Sequence, residues 1–259
     1  MSETALVTGA SGGIGADIAR ILAARGMNLV LTARSGDRLE ALADEIAGGG
    51  RPRPHVVALD LAAADGPSRL VAALREAAIA PTILINNAGY GLMGAVAGLD
   101  RGEQLGIVDL NIRSLVELTT LLLPDLVAAR GRIMNVASVA AFLPGPGMAV
   151  YYASKAFVLS FSDALAQELR AKGVTVTALC PGLTATGFQA RAGMDGRLDK
   201  LSPTMDARSV AEAGVRGLLA GRRRVVPGAL NRITTTLVPL LPRALLLPLV
   251  HGIQSRRHG

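Results

Sequence analysis

The chain has 259 residues, half of them apolar and 18% charged, with a mean hydropathy of +0.40; this excludes a disordered tail or a coiled coil and fits one packed α/β domain better than two. One cysteine, Cys180, leaves no disulfide framework or multi-cysteine cluster, and three scattered histidines offer no zinc spacing, so no metal is expected. The formal charge of +7 is uneven, with 18 basic and 19 acidic side chains in residues 1–206 but nine arginines against Glu212 alone in 207–259; with 3% aromatics and no Trp, this argues against a nucleic-acid groove. The stretch Met1 to Leu6 lacks the zones of a signal peptide, which makes cytoplasmic residence the default expectation.

Short apolar, β-prone runs alternate with longer helical stretches up to about position 226. Strands are predicted at 4–8, 27–32, 55–59, 82–86, 132–137, 174–179 and 224–226, and helices at about 14–25, 37–47, 65–78, 103–129, 151–171 and 207–220. Such alternation predicts an α/β, Rossmann-type doubly wound fold, a seven-stranded parallel sheet with helices on both faces. Between the first strand and helix stands Thr8-Gly9-Ala10-Ser11-Gly12-Gly13-Ile14-Gly15. Glycines there let the chain turn tightly and bring backbone N–H groups and the positive helix end to a pyrophosphate, which makes Gly9, Ser11, Gly13, Ile14 and Gly15 candidate dinucleotide contacts.

The second strand ends Leu31-Thr32-Ala33-Arg34, where a carboxylate would suit the ribose of NAD and an arginine pairs with the 2′-phosphate of NADP. NADP(H) is therefore the expected cofactor, with a solvated loop charge as the plainer reading of Arg34. Asp60 and Leu61 follow the third strand and could receive an adenine edge, although Asp60 suits an N-cap equally well.

Further along stand Asn86-Asn87-Ala88-Gly89, Asn111, Ser138, Tyr151 with Lys155, and Pro181-Gly182 with Thr184 and Thr186. In this order, over about residues 4–226, the chain resembles the short-chain dehydrogenases/reductases: TGASGGIG matches their glycine turn, NNAG their second motif, Asn111, Ser138, Tyr151 and Lys155 their catalytic tetrad, and Pro181 to Thr186 their PGxxxT segment. The resemblance implies an oxidoreductase that interconverts a carbonyl and a secondary alcohol, and a homo-oligomer, dimer or tetramer. It also implies that residues 1–226 are the catalytic domain and 227–259 an extension of it.

Reduction of a carbonyl by hydride leaves an alkoxide that needs a proton, and a tyrosine can supply one if a nearby cation makes its phenol more acidic. Lys155 lies four residues after Tyr151 on one helix face; Tyr152 is three residues from Lys155 and reads as a packing residue. Ser138 closes an apolar strand, where its hydroxyl could clamp the substrate oxygen or simply cap a turn. Asn111 interrupts a helical stretch that disfavours it, and the resemblance assigns it to a water relay. Asn87, Ala88 and Gly89 are expected to line the adenosine side and tie the central strands, and Pro181 to Thr186, including Thr184, to meet the nicotinamide. Cys180 reads as a buried, inert thiol.

Residues 187–206 lack a clear period and read as a substrate cover carrying Phe188, Met194, Leu198, Leu201 and Met205, with Phe142 to Val150 as the opposite wall. A lipophilic ketone or aldehyde, or a 3-oxoacyl thioester, fits these walls; Arg191 and Arg197 leave an anionic substrate open. Two rival readings are an NADP(H)-sensing binding protein without turnover and a lyase or epimerase, which would favour an acidic residue where Arg34 stands. The apolar run 237–250, broken by three prolines and Arg243, is too short to span a bilayer. It allows docking on an anionic membrane surface, recognition of an acidic carrier protein or coenzyme A phosphate, or packing at a subunit interface.

Overall fold

A strand covered by helices on both sides must be apolar on both faces, and the first strand shows it residue by residue: Ala5 and Val7 enter one core, Leu6 the other. The computed structural model describes residues 3–193 and 204–242 and, beyond these, 244, 246–248, 250 and 252. It forms β1 (Thr4–Thr8), β2 (Asn28–Ala33), β3 (His55–Ala58), β4 (Ile83–Asn86), β5 (Arg132–Val136), β6 (Thr175–Leu179) and, after a short ribbon of β7 (Thr184–Ala185) and β8 (Met205–Asp206), β9 (Arg224–Val225). The main sheet has seven parallel strands in the order β3-β2-β1-β4-β5-β6-β9, as expected from the alternation. The ribbon, two residues a side, was not expected.

One face is covered by α1 (Gly13–Ala24), α2 (Gly36–Gly48) and α8 (Ala207–Leu219), which bury Ile18, Leu22, Leu39, Leu42, Val210 and Leu218 against Leu29, Leu31, Ile85 and Met134. The other is covered by α3 (Gly66–Glu76), α5 (Ser114–Ala128) and α6 (Ala149–Glu168), whose Leu70, Leu74, Leu118, Leu122 and Leu165 meet Val30, Leu84, Ile133 and Val176. Each such leucine contributes about 1.5–3 kcal/mol by leaving water, so these layers fix the sheet on which the loops are mounted.

The helix expected over 103–129 is two helices, α4 (Arg101–Val108) and α5, joined by a π turn over Asp109–Arg113. Asp100 caps α4, its carboxylate accepting from the Glu103 N–H at 2.8 Å. Past the sheet lie the four-residue α7 (Phe188–Arg191) and, after β9, α9 (Ala229–Leu237) with a 3₁₀ turn at Val238–Leu240. Among the described residues no helix is long and apolar enough to cross a membrane, and no cluster of His, Cys, Asp or Glu could hold a metal.

The two asparagines inside the sheet are paired, as burial demands, whereas the hydroxyls of Thr32, Thr175 and Thr177 are buried without a partner. Asn86 donates to Thr119 Oγ1 at 3.0 Å and to Asn135 Oδ1 at 2.9 Å, and Asn135 donates to Ser162 Oγ at 2.9 Å. This chain ties β4, β5, α5 and α6 together. After β3 the chain crosses back to the far side of β1, so the connections leaving β1 and β4 turn to opposite faces of the sheet and open the crevice where ligands of doubly wound sheets bind.

Candidate active site

At the carboxyl end of β1, Thr8 Oγ1 donates to the Ile85 carbonyl at 3.1 Å and accepts from the N–H groups of Asn87 and Ala88 at 2.9 and 3.0 Å. Asn87 Nδ2 returns bonds to the Thr8 and Gly9 carbonyls at 2.9 and 3.2 Å. The glycine turn is thus braced from the β4 side. Gly9 has φ +65, and a Cβ on Gly15 would lie 2.4 Å from Asn87 Nδ2 and 2.5 Å from the Gly9 carbonyl oxygen, so both positions need glycine. Gly12 is exposed and nothing lies within 4 Å of where its Cβ would be. The first turn of α1 has no side-chain cap and no acidic residue. Unshared N–H groups, a positive helix end and open space above Gly12 fit a pyrophosphate.

Arg34 is exposed at the end of β2. Asp60 accepts from the Ala62 N–H at 2.9 Å within a turn and caps no helix, the N-cap of α3 being Asp65, and Leu61 is buried in the core. Thr186 faces the glycine turn, its Cγ2 3.0 Å from where a Gly13 Cβ would be, and its hydroxyl accepts from the Phe188 N–H at 3.2 Å. Thr184 is buried, donating to the Gly182 carbonyl at 3.0 Å.

Ser138, Tyr151 and Lys155 meet beyond β5. Ser138 ends the strand run and both caps and faces the site: its Oγ accepts from the Ala140 N–H at 3.1 Å while the side chain lies toward the Tyr151 phenol. Burial pushes that phenol up to about 12, partly opposed by Ser138. Lys155 is 5% exposed and donates to the Val136 carbonyl at 2.8 Å, and burial pushes its ammonium down to about 8. The sequence reading expected a cation to make the phenol more acidic. Here desolvation of the phenolate outweighs every favourable neighbour, and Lys155 Nζ, 5.9 Å from the ring centroid, is aimed at a backbone carbonyl instead. Tyr152 packs edge-on to Tyr151 and lies over Gly145, as a packing residue should.

Asn111 sits in the π turn, 1% exposed. Its Nδ2 donates to the Tyr90 carbonyl and to Ser154 Oγ, both at 3.0 Å, and its Oδ1 accepts from the Tyr90 N–H at 3.1 Å. Gly89 forms the floor between the two polar groups, since a Cβ there would lie 2.9 Å from Asn111 Oδ1 and 3.4 Å from Lys155 Nζ.

The cover lies close. The Phe188 ring is 5.2 Å from that of Tyr151, with Gly91 fitted against both. Arg191 stands 4.9 Å over the Tyr90 ring and pairs with Glu103 at 2.8 Å. The Met93 N–H donates to the Ala192 carbonyl at 2.9 Å, and the Gly94 N–H to the Gly147 carbonyl at 2.7 Å, which joins the loop after β4 to both walls. Met205 lies half-buried in β8, whereas Met194, Arg197, Leu198 and Leu201 lie outside the described residues.

A profile of the short chain dehydrogenase family matches residues 3–195. The chain belongs to that family. A sulfoacetaldehyde reductase of Chromohalobacter salexigens is 42% identical over 199 residues, covering 75% of this chain and 78% of that one. A short-chain dehydrogenase from Sphingobium yanoikuyae in complex with NADPH superposes with a TM-score of 0.81 at 35% identity, covering 88% of each chain. A family member from Burkholderia phymatum in complex with NAD also reaches 0.81, at 25% identity, covering 91% of this chain and 92% of that one. This is therefore an oxidoreductase of the short-chain dehydrogenase family, built for a nicotinamide dinucleotide.

Sequence reasoning missed Tyr90, Ser154 and the pair Glu103–Arg191. Tyr90 follows the Asn-Asn-Ala-Gly motif directly and Ser154 precedes Lys155, so adjacency was a signal for both. The pair closes across 88 residues and left no local trace.

Proposed function

We propose that this chain is an NADPH-dependent carbonyl reductase, equally a secondary-alcohol dehydrogenase in reverse, with Tyr151 as proton donor. The observation that carries the reading is the meeting of Tyr151, Ser138 and Lys155 at the carboxyl end of β5, across the crevice from the open glycine turn. A bound nicotinamide dinucleotide supplies or accepts the hydride. Gly9, Ser11, Gly13, Ile14 and Gly15 would hold its pyrophosphate, Arg34 its 2′-phosphate, Asp60 and Leu61 the adenine edge, and Asn87, Ala88 and Gly89 the adenosine side. Pro181, Gly182, Thr184 and Thr186 would face the carboxamide, with Tyr151 and Lys155 reaching the adjoining ribose.

Ser138 hydrogen-bonds the substrate oxygen as negative charge develops on it. Tyr151, protonated at neutral pH with its phenol near 12, gives its proton to that oxygen, which as an alkoxide is far the stronger base. The Lys155 ammonium stabilises the phenolate left behind. The Asn111 amide is committed to Tyr90 and Ser154, so its side chain holds the π turn beside Lys155 and does not itself carry a proton. Catalysis belongs to residues 1–226, and 227–259 continues the same domain.

Phe188 and the apolar loop after β4 suit a lipophilic ketone or aldehyde, or a 3-oxoacyl thioester. Arg191, balanced by Glu103 and stacked on Tyr90, is not a free cation for an anionic substrate. The test is NADPH oxidation against lipophilic ketones, aldehydes, 3-oxoacyl thioesters and one sulfonated aldehyde, with NADH alongside. Turnover with NADPH that falls about 10²–10⁴-fold in Tyr151→Phe supports the reading; equal turnover in that variant, or NADPH bound with no substrate reduced, overturns it.

A further inference from the structure

Helix α9 has its amphipathicity turned outward. Residues three and four apart share a helix face, and the inward face of α9 is polar. Asn231 donates to the Pro227 carbonyl at 2.8 Å and packs on Gly182, where a Cβ would come 2.5 Å from its Nδ2. Thr235 is buried, with its hydroxyl on the Asn231 carbonyl at 2.9 Å. The outward face is Leu230, Ile233 and Leu237, exposed by 59, 56 and 55%, and Leu241 and Leu247 add exposed leucines downstream. A helix folding only onto its own domain would bury those side chains and expose the asparagine and threonine.

The segment that carries this face is basic. Arg232 is exposed on the same helix and Arg222 and Arg223 just before β9, within a segment of nine arginines and one acidic residue. A second copy packed on this face about a twofold axis would bring two segments of net charge +8 together. An exposed apolar stripe on a segment of net charge +8 instead matches an interface of acyl chains under anionic headgroups. We propose that the outward face of α9 docks the protein on an anionic phospholipid surface. The arginines meet the headgroups and the leucines enter the acyl boundary, and because Asn231 abuts Gly182, the docked face lies beside the crevice. This inference is independent of the reaction proposed above.

The test is co-sedimentation of the full chain with vesicles of phosphatidylglycerol and phosphatidylcholine, and with phosphatidylcholine alone. The protein should pellet with the anionic vesicles only and be released by added salt. The triple variant Leu230→Ser, Ile233→Ser, Leu237→Ser should stay in the supernatant with an unchanged melting temperature, and Arg222→Gln and Arg232→Gln should each weaken binding about fivefold. Should the triple variant not fold, the arginine variants carry the test alone. No pelleting with anionic vesicles, equal pelleting with neutral ones, or binding unchanged in the variants overturns the proposal. So does self-association in sedimentation velocity that the triple variant abolishes without any vesicle binding, which would give the face to a second copy; binding to an acidic carrier protein but to neither vesicle would give it to that partner.

Discussion

Lys155 lies one helical turn beyond Tyr151, its Nζ 5.9 Å from the phenol ring and 2.8 Å from the Val136 carbonyl oxygen. Burial moves the two groups in opposite senses, the lysine down to about 8 and the tyrosine up to about 12. Reduction needs a protonated phenol and a charged lysine. Its kcat/KM should be level below pH 8 and fall above it as the lysine loses its proton, while alcohol oxidation, which needs the phenolate, should rise with pH. A pH profile of both directions checks this, and a reduction rate still climbing at pH 9 would contradict it.

The same shifts set the stability of the cofactor-free protein. Lys155 has a folded value below its ordinary 10.5, so its charged form opposes folding in full below about pH 8 and the penalty fades toward 10.5. Tyr151 has a folded value above its ordinary 10.0, so it costs stability between about pH 10 and 12 as the unfolded phenol ionises. From these two groups stability should rise from pH 8 to about 10 and then decline. Lys155→Met should abolish turnover yet stabilise the cofactor-free protein at pH 7, on the order of 3 kcal/mol. Denaturant unfolding at several pH values measures both effects.

Gly12 and Gly15 separate ligand space from packing space. Gly12 adopts an extended backbone open to any residue, with nothing near its Cβ position, so Gly12→Ala should leave the melting temperature unchanged and weaken cofactor binding. Gly15→Ala drives a methyl into Asn87 and the Gly9 carbonyl and should cost about 1–3 kcal/mol of stability as well. Thermal melts with cofactor titrations distinguish the two.

Arg34→Asp should weaken NADPH binding roughly 10- to 100-fold, the worth of a charged hydrogen bond, and shift preference toward NADH. Dissociation constants for both cofactors measure the switch. An unchanged ratio would remove Arg34 from the site.

Arg191 and Glu103 are each 45% exposed, so their ion pair is worth about 1 kcal/mol or less. Arg191→Ala should therefore barely change the melting temperature but raise the substrate KM by loosening the cover from Tyr90. A lower kcat at constant KM would argue that the pair acts elsewhere.

The strands were legible in the sequence because a sheet covered on both faces writes continuous apolar runs, as in Leu6, Val7, Leu29 and Val30. The π turn was not, since one added residue hardly disturbs a helical period over 103–129, although a buried asparagine inside a helix was its trace. Ribbon strands of two residues are too short to leave any period. That Ser138, Tyr151 and Lys155 come together was legible by type and spacing, but what sets the proton affinity of Tyr151 and Lys155 was not. Desolvation at Tyr151 and the Val136 carbonyl that holds Lys155 arise from packing across β5, β6 and α6, and no stretch of sequence contains it.

The most direct test of the reductase account is transfer of deuterium from NADPH carrying deuterium at both nicotinamide C4 positions to the best carbonyl substrate of the panel, with wild type beside Tyr151→Phe. The account predicts one deuterium on the carbinol carbon with wild type, and product formation reduced at least about a hundredfold in the variant while NADPH binding is retained. Unlabelled product, or labelled product formed equally fast by Tyr151→Phe, would contradict it.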